Sequence, residues 1–174
     1  AMYPATYRAV SARGLYHRLK SLQAMMIARR MRPHLGDPDS RILELGCGAG
    51  QLLMSLRSLG FSNLCGVDWT IAPDVREAGP SILFIAHDVT SYVPPEPIDV
   101  VVLNNVLEHV LDPHSLLTRY RGYLRTQGSI VIFTPNAQAL SQTAFRRYWS
   151  GLHSPWHVQV FTRKSLAVLA GQAG

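Results

Sequence analysis

Three glycines, Gly46, Gly48 and Gly50, stand at alternate positions just after the apolar run Ile42-Leu-Glu-Leu45. Three carboxylates, Glu44, Asp68 and Asp88, are spaced along the same stretch of chain. Glycines in this pattern let a backbone turn tightly and come close to a bound molecule. The helix that opens after such a turn offers unpaired N–H groups. A glycine turn can equally be structural, and the carboxylates sharpen the reading. Asp68 lies 22 residues beyond Gly46, near the ~20-residue offset at which a carboxylate accepts ribose hydroxyls in nucleotide-binding βαβ units. Asp88 closes the next apolar run at the same edge. The spacing is G-x-G-x-G rather than G-x-G-x-x-G, and Glu44 sits just before the turn. A carboxylate there repels a pyrophosphate and favours a ligand that carries a sulfonium and an ammonium. These residue types select S-adenosylmethionine over a dinucleotide.

The elements that must position these groups follow from periodicity. Leu15, Leu19, Leu22 and Met26 recur at helical spacing, so residues 14–32 read as an amphipathic helix ended by Pro33 and the Gly36–Asp39 cluster. Strands are expected at 41–45, 63–68, 82–86, 98–104 and 129–134. Helices are expected at 51–59, 113–125 and 137–149, with a weak one at 71–79 that Pro73 spoils. Pro113 suits a first helical turn. Thr162 reads as the cap of a last helix running into Gly171. Strands alternating with helices mean βαβ units and a mostly parallel sheet. Near-continuous apolar strands such as Val100–Leu103 fit a sheet covered on both faces. Three strand ends would then deliver Glu44, Asp68 and Asp88 to one crevice.

The 174 residues suit one globular domain, and 47% hydrophobic with 16% charged residues can fill a core. No apolar run approaches the ~18 residues of a membrane span. The first residues, Ala1-Met2-Tyr3-Pro4, lack the form of a secretory signal. Cys47 and Cys65 fall in different elements, so neither a disulfide framework nor a thiolate cluster is implied. A reduced, cytoplasmic protein is expected. Charge is unevenly spread: +6 over residues 1–41, −7 over 42–112 and +7 over 113–174. Scattered solvated charge is one reading. The other is that the basic flanks, through residues such as Arg18, Arg29, Arg30, Arg146 and Arg147, form a positive face toward an anionic partner.

The chain resembles the class I methyltransferases, in particular small bacterial enzymes of the ubiquinone-biosynthesis type. The stretches that carry the resemblance are Ile42–Gly50, Gly66-Val-Asp68, His87-Asp-Val89, Asn105-Val-Leu-Glu-His-Val110 with Asp112-Pro113, Thr134-Pro-Asn136, and Trp149–Leu152 with Pro155-Trp-His157 and Phe161-Thr162. The resemblance implies an α/β, Rossmann-like, doubly wound and mostly parallel sheet. The family's closing antiparallel strand pair has no counterpart here, which leaves the fifth strand as an edge. Residues 1–40 would be a helical cap and 41–174 the cofactor-binding domain.

Roles follow from the resemblance residue by residue. Glu44 and the Gly46/Gly48/Gly50 turn would hold the methionine part of the cofactor, and Asp68 the ribose. Trp69 would lie on the adenine face, unless it is merely a core or surface aromatic. Asp88 would accept the adenine amine beside the Val89 N–H. Asn104 would line the space near the transferred methyl. The product would be S-adenosylhomocysteine.

A hydroxyl acceptor must lose a proton, and histidine is the natural base near neutral pH. His109 and His157 are the candidates, against structural roles for each. Asn105, Glu108 and His109 would share one helical face, where some relatives place a Glu-x-x-Glu-His metal cluster completed by a distant histidine, here His153 or His157. With Asn105 in place of the first carboxylate, a divalent metal is not expected. The expected activity is methyl transfer to an oxygen of a small anionic metabolite. Nucleic acid is the alternative acceptor, and a non-catalytic cofactor-binding protein the alternative class. Homodimerisation through the open sheet edge is a further expectation.

Overall fold

The computed structural model describes residues 15–78, 81–149, 152 and 156–174. Residues 1–14 of the expected cap and His153 lie outside them. The described chain runs α1 (Leu15–Met31), β1 (Ile42–Leu45), α2 (Gln51–Ser58), β2 (Leu64–Asp68), α3 (Pro73–Ala78), β3 (Leu83–Ala86), β4 (Ile98–Asn104), α4 (Pro113–Arg121), β5 (Leu124–Phe133), α5 (Leu140–Phe145) and α6 (Arg163–Ala173). The five strands form one parallel sheet in the order β3-β2-β1-β4-β5. The order reverses between β1 and β4, and in open α/β sheets that switch point opens a crevice at the carboxyl ends of the strands.

Strand side chains alternate between faces, and both faces here are covered. Ile42, Val100 and Val102 pack with α1 and α2 residues such as Ala28, Met31, Leu53 and Leu56. Leu43, Leu45, Val101 and Leu103 pack with Leu116, Leu117 and Tyr120 of α4 and Ala173 of α6. This two-sided burial explains why β1 and β4 read as unbroken apolar runs.

Besides a shorter α5, Leu140–Phe145 rather than 137–149, three details differ from the sequence reading. Pro73 opens α3 rather than spoiling it, as its fixed φ and missing N–H allow at a first helical position. Helix α4 stops at Arg121, and β5 starts at Leu124, earlier than expected. A register shift, with Leu124 opposite Ile98 and Ser129 opposite Val100, absorbs the extra residues. The third difference is in α1. The face that periodicity marks as core, Leu19, Leu22 and Met26, is exposed, and Ala24, Ala28 and Met31 are buried instead. Ala28 and Met31 pack with Leu52, Leu53 and Leu56 of α2, so fit against the neighbouring helix decides which face is inside.

Candidate active site

Each cofactor-side group stands at the carboxyl end of a strand. Gly46 leaves β1 with φ 70°, and a Cβ there would meet Val106 Cγ2 at 2.6 Å. Gly48 also has positive φ, but nothing lies within 4 Å of its would-be Cβ, so its bare backbone faces open space. The turn is tied to β2: Gly46 N–H donates to the Val67 carbonyl at 2.7 Å, and Gly48 N–H to Asp68 Oδ2 at 2.7 Å. Asp68 Oδ1 accepts from the Trp69 N–H at 2.7 Å. Each carboxylate oxygen retains a further lone pair for a ligand hydroxyl. Trp69 itself is half exposed beside it.

The third strand end is held as firmly. His87 N–H donates to the Asp68 carbonyl at 2.8 Å. Asp88 Oδ1 accepts from both the Thr90 N–H and hydroxyl, at 2.8 and 2.9 Å. Tyr120, buried on α4, donates its hydroxyl to the Val89 carbonyl at 2.7 Å and lies 3.2 Å from that of Tyr92. Sequence reasoning gave Tyr120 no role. Its one signal is a hydroxylated ring on the apolar face of a helix, which needs a partner when buried.

Glu44 alternates with Leu43 and Leu45, so it points to the face under α2. It is 2% exposed, and its Oε2 has no hydrogen-bond partner among the described residues. Burial, and secondly the nearby Asp68 carboxylate, raise its pKa well above the ordinary carboxylate range. A buried, unpartnered carboxyl beside an open glycine turn suits a cationic ligand group.

The other half of the crevice is built around the exit of β4. Asn104 ends the strand, Asn105 takes φ 55°, and Leu107–His109 form a single 3₁₀ turn. Asn105 donates to Asn104 Oδ1 at 3.4 Å; it precedes this turn rather than sharing a helical face with it. Residues 156–161 are strapped across the turn. Val158 N–H donates to the Glu108 carbonyl at 2.9 Å, and the Gln159 amide reaches the carbonyls of Leu107 and Val110. His109 Nδ1 lies 2.8 Å from the Trp156 carbonyl. That carbonyl can only accept, so Nδ1 carries a proton.

The strap brings His157 edge-on to His109, with ring centroids 4.7 Å apart. Glu108 is fully buried, accepts from the Thr134 hydroxyl at 3.0 Å through Oε2, and has no hydrogen-bond partner for Oε1 among the described residues. Ligand-type atoms of Glu108, His109 and His157 all lie within 4.8 Å of one another. The three groups are thus gathered closely enough for their ligand atoms to reach one ion. They also suit a histidine base with a carboxylate behind it. His157, not Asn105, completes the group.

Beside this turn lies an open cleft of about 510 Å³. Asn104, Asn105, Thr134 and Asn136 line it at the strand ends, Arg30 from α1 and Arg163 from α6. Thr162 caps α6 at this point by accepting from the Ser165 N–H at 3.0 Å. One arginine from each basic flank thus reaches the cleft. Arg18, Arg29, Arg146 and Arg147 are not among its lining residues.

A methyltransferase domain family matches residues 16–174. The chain belongs to that family. With its fold and glycine turn it is a class I, S-adenosylmethionine-dependent methyltransferase domain. Among relatives, the ubiquinone biosynthesis O-methyltransferase of Rickettsia felis is 25% identical over 130 residues, covering 71% of this chain and 53% of its own length. The chain spans about half the length of the curated relatives it matches. A methyltransferase from Archaeoglobus fulgidus superposes with a TM-score of 0.71 at 22% identity, covering 92% of this chain and 74% of that one. The 1,6-didemethyltoxoflavin-N1-methyltransferase of Burkholderia thailandensis, solved with its acceptor and S-adenosylhomocysteine, gives 0.65 at 22% identity over 91% of this methyltransferase domain and 72% of its own chain. No helix among the described residues is long and apolar enough to cross a membrane.

Proposed function

We propose that the domain transfers a methyl group from S-adenosylmethionine to an oxygen of a small anionic acceptor. The observation that carries the acceptor's charge is the pairing of Arg30 and Arg163 across a cleft that also contains Asn104. Its volume falls within the ~300–1,000 Å³ of small-molecule sites. The sulfonium cofactor supplies an already activated methyl group. Glu44 and the glycine turn hold its methionine end, Asp68 its ribose, and Asp88, the Val89 N–H and Trp69 its adenine.

The remaining work belongs to the protein's own groups. Asn104 borders the space where acceptor and methyl meet, and alignment there removes much of the barrier to an in-line displacement. His109 Nε2 takes the acceptor's hydroxyl proton, with His157 as its neighbour. Glu108 behind them stabilises the imidazolium that results. The arginines hold the acceptor's carboxylate or phosphate and draw it in electrostatically. The unpaired cysteines, Cys47 buried and Cys65 half-buried, support a reducing, cytoplasmic setting. Pairing of two β5 edges is the corresponding homodimer proposal, and a monomer in analytical ultracentrifugation overturns it.

The test is a screen with methyl-labelled cofactor against phenolic and enolic carboxylates and phosphates, their neutral esters, amines and RNA. Label on the oxygen of an anionic acceptor, and weak or no turnover of its ester, is the expected result. Preferential labelling of RNA, or of a neutral acceptor, overturns the anionic reading. Cofactor binding with no turnover of any acceptor overturns the enzymatic one.

A further inference from the structure

Among the described residues, no element covers the face of α1 that periodicity marks as core. Leu19, Leu22 and Met26 are 55%, 60% and 66% exposed. At ~100° per residue they form a single file along a helix about 25 Å long. Arg18 and Arg29 fall on one side of that file and Arg30 on the other, and all three are exposed. Helix α1 carries four Lys or Arg and no carboxylate. Its opposite face, Ala24, Ala28 and Met31, is the one buried against the domain. The helix therefore has two apolar faces, one used by the fold and one left over with a basic rim.

We propose that this outer face of α1 docks the domain on an anionic lipid bilayer surface. Two features select that occupant. The first is charge: arginines flanking an apolar ridge match anionic headgroups, with the leucines and methionine entering the acyl boundary. A second copy of the chain would bring arginine against arginine. The second is shape. The ridge is convex, and its three residues line neither the acceptor cleft nor the smaller cleft between Thr90 and Arg119. A fluid surface yields to a ridge, whereas a folded partner would need a matching groove. The proposal is independent of the acceptor's identity. Arg30 links the two, because it borders both the ridge and the cleft.

The test is co-sedimentation of the full chain with vesicles of equimolar phosphatidylglycerol and phosphatidylcholine, against phosphatidylcholine alone. Binding is expected to the anionic vesicles, at least roughly tenfold tighter than to neutral ones, and to weaken as salt screens the charge. L22S/M26S should weaken it by roughly tenfold or more through lost apolar burial. R18Q/R29Q should weaken it by roughly fivefold for each arginine. Circular dichroism checks that each variant is folded, and the lipid preference of the unaltered chain needs no variant at all. Failure to bind, equal binding to both vesicle types, or undiminished binding by folded L22S/M26S overturns the proposal. So does a dimer that the same double substitution dissociates, with no vesicle binding, which would give the face to a second copy.

Discussion

The carboxyl ends of β1, β2 and β3 and those of β4 and β5 lie along one edge of the parallel sheet but are built differently. On the cofactor side, Glu44, Asp68 and Asp88 each end or adjoin a strand. Asp68 and Asp88 are held by the backbone N–H groups of Gly48, Trp69 and Thr90, and Glu44 by burial. On the proposed acceptor side, Arg30 and Arg163 line the cleft from α1 and α6, while His109 and His157, outside its lining, meet on a single 3₁₀ turn and a strap. The first half is local and negative, the second composite and basic. The difference suits their ligands: an invariant cofactor can be met by a fixed constellation, whereas an acceptor is defined by elements that vary in length and composition around the same sheet.

The sharpest test of this division is His109→Gln. Loss of the base should lower kcat on the acceptor found in the screen by about 10²–10⁴-fold. Calorimetric affinity for S-adenosylhomocysteine should stay within about twofold, because His109 is on the acceptor side. Equal loss of both would mean that His109 acts only by holding the strap. Asp68→Ala should do the reverse. Leaving the Gly48 and Trp69 N–H groups and the ribose unpartnered costs ~1–3 kcal/mol, or roughly 5- to 150-fold in cofactor affinity. The acceptor's KM, measured at saturating cofactor, should not move. If it rises in step, the two halves are not separable.

How legible each half is in the sequence follows from the same contrast. The glycine turn, Asp68 and Asp88 are readable because their spacing is set by the length of a strand and a helix, and strand ends deliver them automatically. Sequence could name His109 and His157 but not their meeting, which needs the Trp156 carbonyl, the Gln159 amide and the Val158 N–H to fold the strap back over Glu108. Arg163 was invisible because its place depends on where α6 starts relative to β5. The error in α1 is instructive. Hydrophobic periodicity names an apolar face, but which face packs inward is settled by its fit against the neighbouring helix, and here Ala24, Ala28 and Met31 are the residues buried.

The arginine pair gives a smaller effect. Arg30→Gln with Arg163→Gln should raise KM for an anionic acceptor by roughly five- to tenfold, with kcat little changed, because the pair contributes uniform binding and partly solvent-screened charge. The loss should shrink as salt rises, since added ions already screen what the substitution removes. KM for the acceptor's neutral ester should stay the same. A rise for both acceptors would show that the arginines shape the cleft rather than read charge.

Glu44 separates stability from function within the cofactor half. Its carboxyl is buried, with Oε2 unpartnered, and burial followed by the Asp68 charge raises its pKa in the fold. A raised carboxyl pKa means that the native state holds its proton at pH values where the unfolded chain has released it. The unfolded chain then binds fewer protons, so stability falls as pH climbs from the ordinary carboxylate range, near 4.5, toward the elevated native value. Glu44→Gln cannot ionise and should remove that decline. Without cofactor, the variant should melt at the same temperature as the unaltered chain at pH ~4, and ~2–4 °C higher at neutral pH, for a gain of ~1 kcal/mol. Thermal scans across pH measure this directly. A bound cation favours the ionised form of Glu44, which Gln cannot adopt, so S-adenosylmethionine should bind several-fold more weakly to the variant. The loss should exceed that for S-adenosylhomocysteine, which lacks the sulfonium charge. A variant that is no more stable at neutral pH would mean that water or a neighbour satisfies the carboxylate in solution. One that binds both ligands as tightly as before would assign Glu44 to the architecture of β1 alone.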